Sequence, residues 1–379
     1  MLYLHSSAGR YGADRQLALL AGGLDPDRYR PLVVLAMDGE LREDLQAAGV
    51  ETLVRPLAVV RRAAMSPGGM ARIAGELARD AGGLARLARR RDVALVHTNT
   101  SVTLGGSAAS RLARIPHVWH LREIYAGFER WWPAYRRMLL SADALPCVSR
   151  ATLAQLGGHE RGLVLHDGLP SIPARAPRDA ARAALDLPAD AYVCAILGRI
   201  SAWKGQDVLI EALADPALAK GGAIALVAGD PWQGEERRLA QLHALAARLG
   251  VAGRVRFEGF RSDVENVYGA ADVVCVTSTQ PDPLPNAALE AAAAGCCVVA
   301  ADHGGLPEIL RDERTGLLVT PADPAALAAA LARLRADPAL RTRLGAAAAA
   351  DVRARFAPEL LLRQVQALYD DVIERRGRR

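Results

Sequence analysis

Residues 273–300 read VVCVTSTQPDPLPNAALEAAAAGCCVVA. A four-residue apolar run, Val273–Val276, gives way to polar Thr277-Ser-Thr. Prolines 281, 283 and 285 then lead into an Ala/Leu stretch that Gly295 closes, which is the punctuation of a short helix. A second apolar run, Val298–Ala300, follows. Two short apolar runs separated by a helix predict a strand–helix–strand unit, whose strands lie parallel and whose crossover is right-handed.

The same rhythm extends outward in both directions. Strand-like runs are expected at Leu2–His5, Pro31–Ala36, Val93–His97, His117–Leu121, Leu145–Val148 and Leu163–His166 in the first half. In the second half they fall at Val193–Leu197, Ile224–Ala228, Val255–Glu258, Val273–Val276, Val298–Ala300 and Gly316–Val319. Segments of helical period, such as Met70–Arg90 and Glu235–Leu249, separate them. The pattern predicts α/β architecture with parallel sheets covered on both faces. Prolines cluster at 166–177 (HDGLPSIPARAP) and a fresh series starts at Arg178, so a seam is expected there. Two doubly wound, Rossmann-like domains, 1–168 and 169–356, are expected to face each other across a cleft, with ligands outside the carboxyl ends of the strands.

The chain has 379 residues, enough for two cores. Hydrophobic residues make up 51% and charged ones 23%, so disorder is not expected. The five cysteines (147, 194, 275, 296 and 297) sit in apolar runs without zinc-site spacing and read as buried thiols, which favours a cytoplasmic location. No basic segment precedes Leu2, so no signal peptide is expected, and no apolar stretch reaches membrane-spanning length. Residues 1–168 carry 22 Arg against 16 acidic residues, whereas the rest is near neutral. A basic first half suits an anionic acceptor or membrane surface as well as it suits an ordinary solvated surface. Aromatics beside arginines at 128–137 (FERWWPAYRR) suggest peripheral contact with the inner membrane face, an acceptor lid or a helix packed on the sheet. Nucleic acid is a poor fit, because the basic residues lack interleaved aromatics.

Five segments of the second half carry more polar specificity than packing needs. In Leu197-Gly-Arg-Ile-Ser-Ala-Trp-Lys-Gly, Arg199 and Lys204 lie on a loop at a strand's carboxyl end, where Gly198 and Gly205 allow close backbone approach to a diphosphate. Only two lysines, Lys204 and Lys220, occur among 47 basic residues, so a retained lysine suggests a needed point charge. In residues 281–295, Asp282 precedes a helix whose first amides, at Asn286 and Ala287, suit an anion, while Glu290 needs a partner such as a sugar diol. Gly304 and Gly305, with Glu308, form a third segment. Gly229–Trp232 and Gly259–Asp263 follow two further strands.

In this order the segments GRISAWKG, GFRSD, TSTQPDPLPNAALEAAAAG and GGLPEIL resemble the family-4, group 1 retaining glycosyltransferases of the GT-B fold. The resemblance is strong over residues 195–320 and looser before them. It implies a glycosyltransferase in which Arg199 and Lys204 neutralise the donor diphosphate and Glu290 holds the ribose. The family's first acidic residue, usually Glu, is Asp282 here, whose reach is shorter by ~1.5 Å. Its Phe-Gly is replaced by Leu284-Pro285, and Pro285 offers no N–H. In the first half the loop with Gly9 and Gly12 occupies the place of a donor-side glycine loop. His120, in VWHLRE, matches a histidine that faces the donor sugar. His97 and Asn99, with Arg122 and Glu123, are expected on the acceptor side.

The resemblance further implies a nucleotide-diphosphate sugar as donor, no cofactor and no metal, retention by front-face attack, and a final helix, 357–375, packed back on the first domain. The acceptor is a glycan, a lipid-linked sugar or a small molecule. A dehydrogenase is disfavoured because no G-x-G-x-x-G follows a strand; a non-catalytic nucleotide-sugar binder stays open.

Overall fold

The computed structural model describes residues 1–60, 67–125, 130–219, 222–231 and 234–378. The chain forms two compact units. One comprises Met1–Pro170 together with Phe356–Arg379, and the other Ser171–Arg355.

In the first unit five parallel strands, β1 (Leu2–His5), β2 (Leu32–Leu35), β3 (Glu51–Val54), β4 (Val96–Thr98) and β5 (His117–Trp119), run in the order β3-β2-β1-β4-β5. β6 (Leu145–Cys147) and β7 (Gly162–Val164) form a parallel pair, and isolated parallel bridges Val118↔Ala144 and Leu121↔Cys147 join β5 to β6. β1 is buried along its whole length, as an inner parallel strand must be. β3 has no counterpart in the expected strands. Its ETLV sequence lies at the sheet edge with both ends exposed, so neither alternation nor an apolar run marks it. The expected strand Val93–His97 forms only from Val96 to Thr98, and Leu163–His166 becomes Gly162–Val164.

The last helix, Pro358–Gly377, belongs to this first unit. Proline near its start suits the first turn. Leu361, Val365, Tyr369 and Val372 form one apolar stripe at helical spacing and join the core of Tyr3, Leu17, Leu20, Val33 and Leu35.

The second unit has six parallel strands, β8 (Tyr192–Leu197), β9 (Ala223–Ala228), β10 (Val255–Gly259), β11 (Val273–Val276), β12 (Val298–Ala301) and β13 (Leu317–Val319), in the order β10-β9-β8-β11-β12-β13. The order reverses between β8 and β11. At such a switch point the loops leaving the two strands turn to opposite faces and open a crevice. The helix Asn286–Ala293 crosses from β11 to β12 and ends as its sequence predicts. Gly295 takes φ +78° and donates its N–H to Ala292 O at 2.9 Å.

Candidate active site

The five segments singled out in the second half leave the carboxyl ends of β8, β9, β10, β11 and β12, and hydrogen bonds tie them to one another. At the switch point the β8 loop and the β11 loop interlock. Thr279 N–H donates to Trp203 O at 2.7 Å, and the Thr277 hydroxyl donates to Gly205 O at 2.9 Å. Gly205 has φ +78°, and a Cβ there would run into the Thr277 carbonyl. Any other residue would push the loops apart.

This approach places Lys204 beside Asp282. The ammonium lies 2.6 Å from the carboxylate and 4.3 Å from the Trp203 ring centroid, which adds a cation–π contact. The lysine side chain is 24% exposed and the aspartate 8%, so the pair stands at a mouth open to solvent on the lysine side. Lys204 was expected at a diphosphate and Asp282 at a sugar; in this structure each is the other's partner. The backbone of Asp282 is held from the β12 side. Gly305 N–H donates to Asp282 O at 2.8 Å, and side chains at Gly304 or Gly305 would strike the backbone of Asp282 and Pro283. His303 donates from Nε2 to Ser278 O at 2.6 Å.

Arg199 is half-buried on the same loop, and its carbonyl accepts from the buried Gln206 amide at 3.0 Å. Gly198, at φ +132°, opens to free space, while Gly229 packs on its carbonyl. Asp230 joins β9 to β10: its carboxylate accepts from Phe260 N–H at 3.0 Å, and Gly229 N–H donates to Gly259 O at 2.7 Å. Phe260 projects with 73% of its surface exposed.

The helix Asn286–Ala293 starts after Pro285, and no side chain caps it. The amides of Ala288 and Leu289 reach back to Pro285 O, so Asn286 and Ala287 carry the first-turn N–H groups that no intrahelical acceptor serves. Glu290 lies further along the helix, half-buried, and accepts from the Tyr268 hydroxyl at 3.4 Å. Fixed cations, a helix start and glycine-lined loops at one crevice suit a polyanion.

The first-unit residues form a different environment. His5, Asp14, Ser7 and Asn99 make one network: His5 Nε2 to Asp14 at 2.8 Å, Ser7 hydroxyl to Asp14 at 2.5 Å, and Asn99 Nδ2 to His5 Nδ1 at 3.1 Å. Because the Asn99 amide donates to Nδ1, the His5 proton sits on Nε2 and points at Asp14. Burial opposes ionisation of Asp14, yet His5, Ser7 and the Tyr11 amide outweigh it and hold the pKa below the usual range. Gly9 lies on this loop and Gly12 begins the helix Gly12–Gly23 that follows it; both are half-buried and neither takes a left-handed φ.

The expected acceptor-side residues His97, Asn99 and Arg122 are built into the interior rather than lining an open wall. His97 and Asn99 have no exposed surface. Arg122 donates to Asn99 O at 2.9 Å and pairs with buried Asp167 at 2.5 Å. The arginine sits where a buried carboxylate needs a charge partner, which the sequence motif did not reveal. Glu123 accepts from Ser101 N–H and hydroxyl and from Arg122 N–H, but burial still raises its pKa. His120 is buried too, and neither ring nitrogen has a hydrogen-bond partner among the described residues. Burial and the Arg122 charge push its pKa well below 6.5, so the ring is neutral.

Trp203, Asp230, Thr277, His303 and Tyr268 received no role from the sequence, although all but Tyr268 lie in or beside the quoted loops. Phe128, Glu129, Lys220 and Trp232 lie outside the described residues. Among the described residues no group of three or more His, Cys, Asp or Glu is placed to hold a metal ion, and no helix is long and apolar enough to cross a membrane. All five cysteines are free and buried.

Residues 177–351 match the family profile "Glycosyl transferases group 1", and residues 11–161 match "Glycosyltransferase Family 4". Over 179 residues the chain is 40% identical to the D-inositol 3-phosphate glycosyltransferase of Streptomyces bingchenggensis, covering 45% of this chain and 39% of that protein. To the lipopolysaccharide core biosynthesis glycosyltransferase LpsE of Rhizobium meliloti it is 42% identical over 163 residues, 43% of this chain and 45% of LpsE. The chain thus spans less than half the length of these curated relatives. Similarity to a solved structure is more extensive. Anabaena HepE in complex with UDP superposes with a TM-score of 0.82 at 29% identity, over 98% of this chain and 99% of HepE.

Proposed function

Since the chain belongs to the family-4, group 1 glycosyltransferases of the GT-B fold, we propose that it transfers a sugar from a nucleotide-diphosphate donor to a hydroxyl acceptor, with retention at the anomeric carbon and without a divalent metal. HepE has been solved with UDP and with UDP-glucose, which supports a uridine diphosphate sugar as the first donor to test. The acceptor is a glycan, a lipid-linked sugar or a small molecule, and the reaction belongs to the cytoplasm, a reading supported by five buried free thiols.

One observation carries this reading: Lys204 and the uncapped start of the helix Asn286–Ala293 lie on the two loops that flank the switch point. A diphosphate there draws Lys204 from Asp282, and Arg199 adds a second charge. Together with the Asn286 and Ala287 amides these groups stabilise the negative charge that grows on the leaving diphosphate. No enzymic nucleophile is required if the acceptor attacks from the leaving-group face and the departing phosphate takes its proton. Glu290 holds the ribose, and in the first unit the neutral His120 is a hydrogen-bonding group for a sugar hydroxyl.

UDP-glucose hydrolysis or transfer, followed by release of UDP, tests the reading. Lys204→Ala is expected to lower turnover by about 10²–10³-fold with the fold intact by circular dichroism. An unchanged rate removes Lys204 from the chemistry. Binding of UDP without any turnover in the wild type identifies a non-catalytic binder instead. Retention is read from the anomeric proton coupling of the product, and metal independence from activity in EDTA.

A further inference from the structure

Three buried polar rings of the first unit lie in line. The Tyr3 and Tyr369 hydroxyls are 2.8 Å apart, and the Tyr369 hydroxyl is 2.6 Å from His97 Nδ1. All three side chains are without exposed surface, so every proton must be accounted for inside the protein. Two directions are conceivable. If His97 Nδ1 carried the proton, it would donate to Tyr369, Tyr369 would donate to Tyr3, and the Tyr3 proton would face no recorded acceptor. If instead Tyr3 donates to Tyr369 and Tyr369 donates to Nδ1, both hydroxyl protons are used. Each arrangement leaves one buried donor over, the Tyr3 O–H in the first and the His97 Nε2–H in the second, at ~1–3 kcal/mol. The second is favoured because the His97 ring lies beside the unpartnered nitrogens of His120, whereas Tyr3 has no further polar partner among the described residues.

The consequence is that the His97 proton resides on Nε2. That nitrogen has no hydrogen-bond partner among the described residues, and neither has either nitrogen of His120. Tyr3 stacks on the face of His97, with centroids 5.0 Å apart, and Tyr369 meets its edge at Nδ1. The remaining ring neighbour recorded is His120, at 5.6 Å and tilted by 42°. His120 is anchored close by, since its backbone N–H donates to Thr98 O at 2.8 Å.

We propose that Tyr369 is a positioning residue: it fixes His97 as an Nε2–H donor toward His120, so that His120 accepts at one nitrogen and offers an N–H at the other. A small rotation of either ring, or one bridging oxygen, completes the relay. The N–H so presented suits a sugar hydroxyl, which rests on the glycosyltransferase reading; the relay itself does not. Tyr369 sits on the helix Pro358–Gly377, so the end of the chain sets the hydrogen-bonding state of a ring on β5's outgoing loop.

The test is long-range ¹H–¹⁵N NMR of the full chain with labelled histidine. In the wild type His97 is expected as the Nε2–H tautomer and His120 as a single neutral tautomer. Tyr369→Phe, which keeps the ring and removes the hydroxyl, is expected to shift the His97 and His120 nitrogen signals. Turnover should fall by roughly 10- to 100-fold with KM for the UDP-sugar unchanged. An Nδ1–H tautomer of His97 in the wild type overturns the proposal, even if the variant does not fold. So does a folded Tyr369→Phe protein in which His120 is unmoved. Absence of transfer in the wild type, with the tautomers as expected, defeats the glycosyltransferase reading and leaves the relay standing.

Discussion

In this structure the Lys204 ammonium is paired with Asp282. Its carboxylate therefore competes with a diphosphate for the same ammonium. Asp282→Asn is expected to tighten UDP binding by about 3- to 10-fold while lowering turnover, as measured by isothermal titration calorimetry and initial rates. Weaker UDP binding would show that Asp282 holds the lysine toward the phosphates. Gly205 makes the pairing possible and is equally testable. A left-handed φ costs a side chain ~1–2 kcal/mol before the overlap with the Thr277 carbonyl is counted. Gly205→Ala should therefore lower the urea midpoint of the second unit by more than that amount implies. That Lys204 is one of two lysines was legible from composition, because arginine fills the other basic positions. Its pairing with Asp282 was not, since it depends on two loops 78 residues apart meeting at the switch point. His97 was expected on the acceptor side, and its bond to Tyr369 was not legible either, because that partner is 272 residues away.

Most strands announced themselves as apolar runs because parallel strands are buried on both faces. β3 did not, since one edge strand faces solvent and its two glutamate- and valine-bearing ends are exposed. The return of the last helix to the first unit came from resemblance, not from its amphipathic pattern, which identifies a buried stripe without naming what covers it. Its core contribution can be weighed. Leu361 is 2% exposed and packs with Leu17, Leu20 and Tyr369. Leu361→Ala is expected to cost about 2–5 kcal/mol, read as a lower urea midpoint for the first unit. Deleting residues 358–379 removes the whole stripe, uncovers the core it packs on, and removes the Asp370 partner of Arg28 and Tyr29. The first unit should then lose its cooperative transition while that of the second persists. Retention of both transitions would show that the helix is dispensable to the core.

At the scale of the whole molecule, the described histidines whose pKa burial lowers all lie in the first unit. His97, His117 and His120 all have lowered pKa values, first of all through desolvation, and that of His117 falls to about 3. In the unfolded chain each takes a proton near pH 6.5. Below that pH the unfolded state binds protons that the folded state refuses, so stability is complete above pH ~6.5 and falls as the pH drops toward the folded values. Each histidine contributes a slope of up to ~1.4 kcal/mol per pH unit in that window. Glu123 and Asp167 act in the opposite sense. Burial raises both despite the Arg122 charge, so the folded form takes their protons before the unfolded form does. That offset begins only as the pH passes down through their raised values. The depressed Asp14 adds stability above its unfolded value, lost as pH falls through its folded one. Three histidines outnumber these two carboxylates, so the first unit should lose stability as the pH falls from 6.5 to 5, as a proton-linked process. Urea titrations of the full chain at pH 7.0, 6.0 and 5.0 measure it. His117 also bonds Thr98 Oγ1 through Nε2, at 2.8 Å, so Gln is the substitution that keeps a polar group there. His117→Gln is expected to lower overall stability yet reduce the pH slope by close to one proton. A slope that stays at the wild-type value would mean that His117 titrates alike in the folded and unfolded chain.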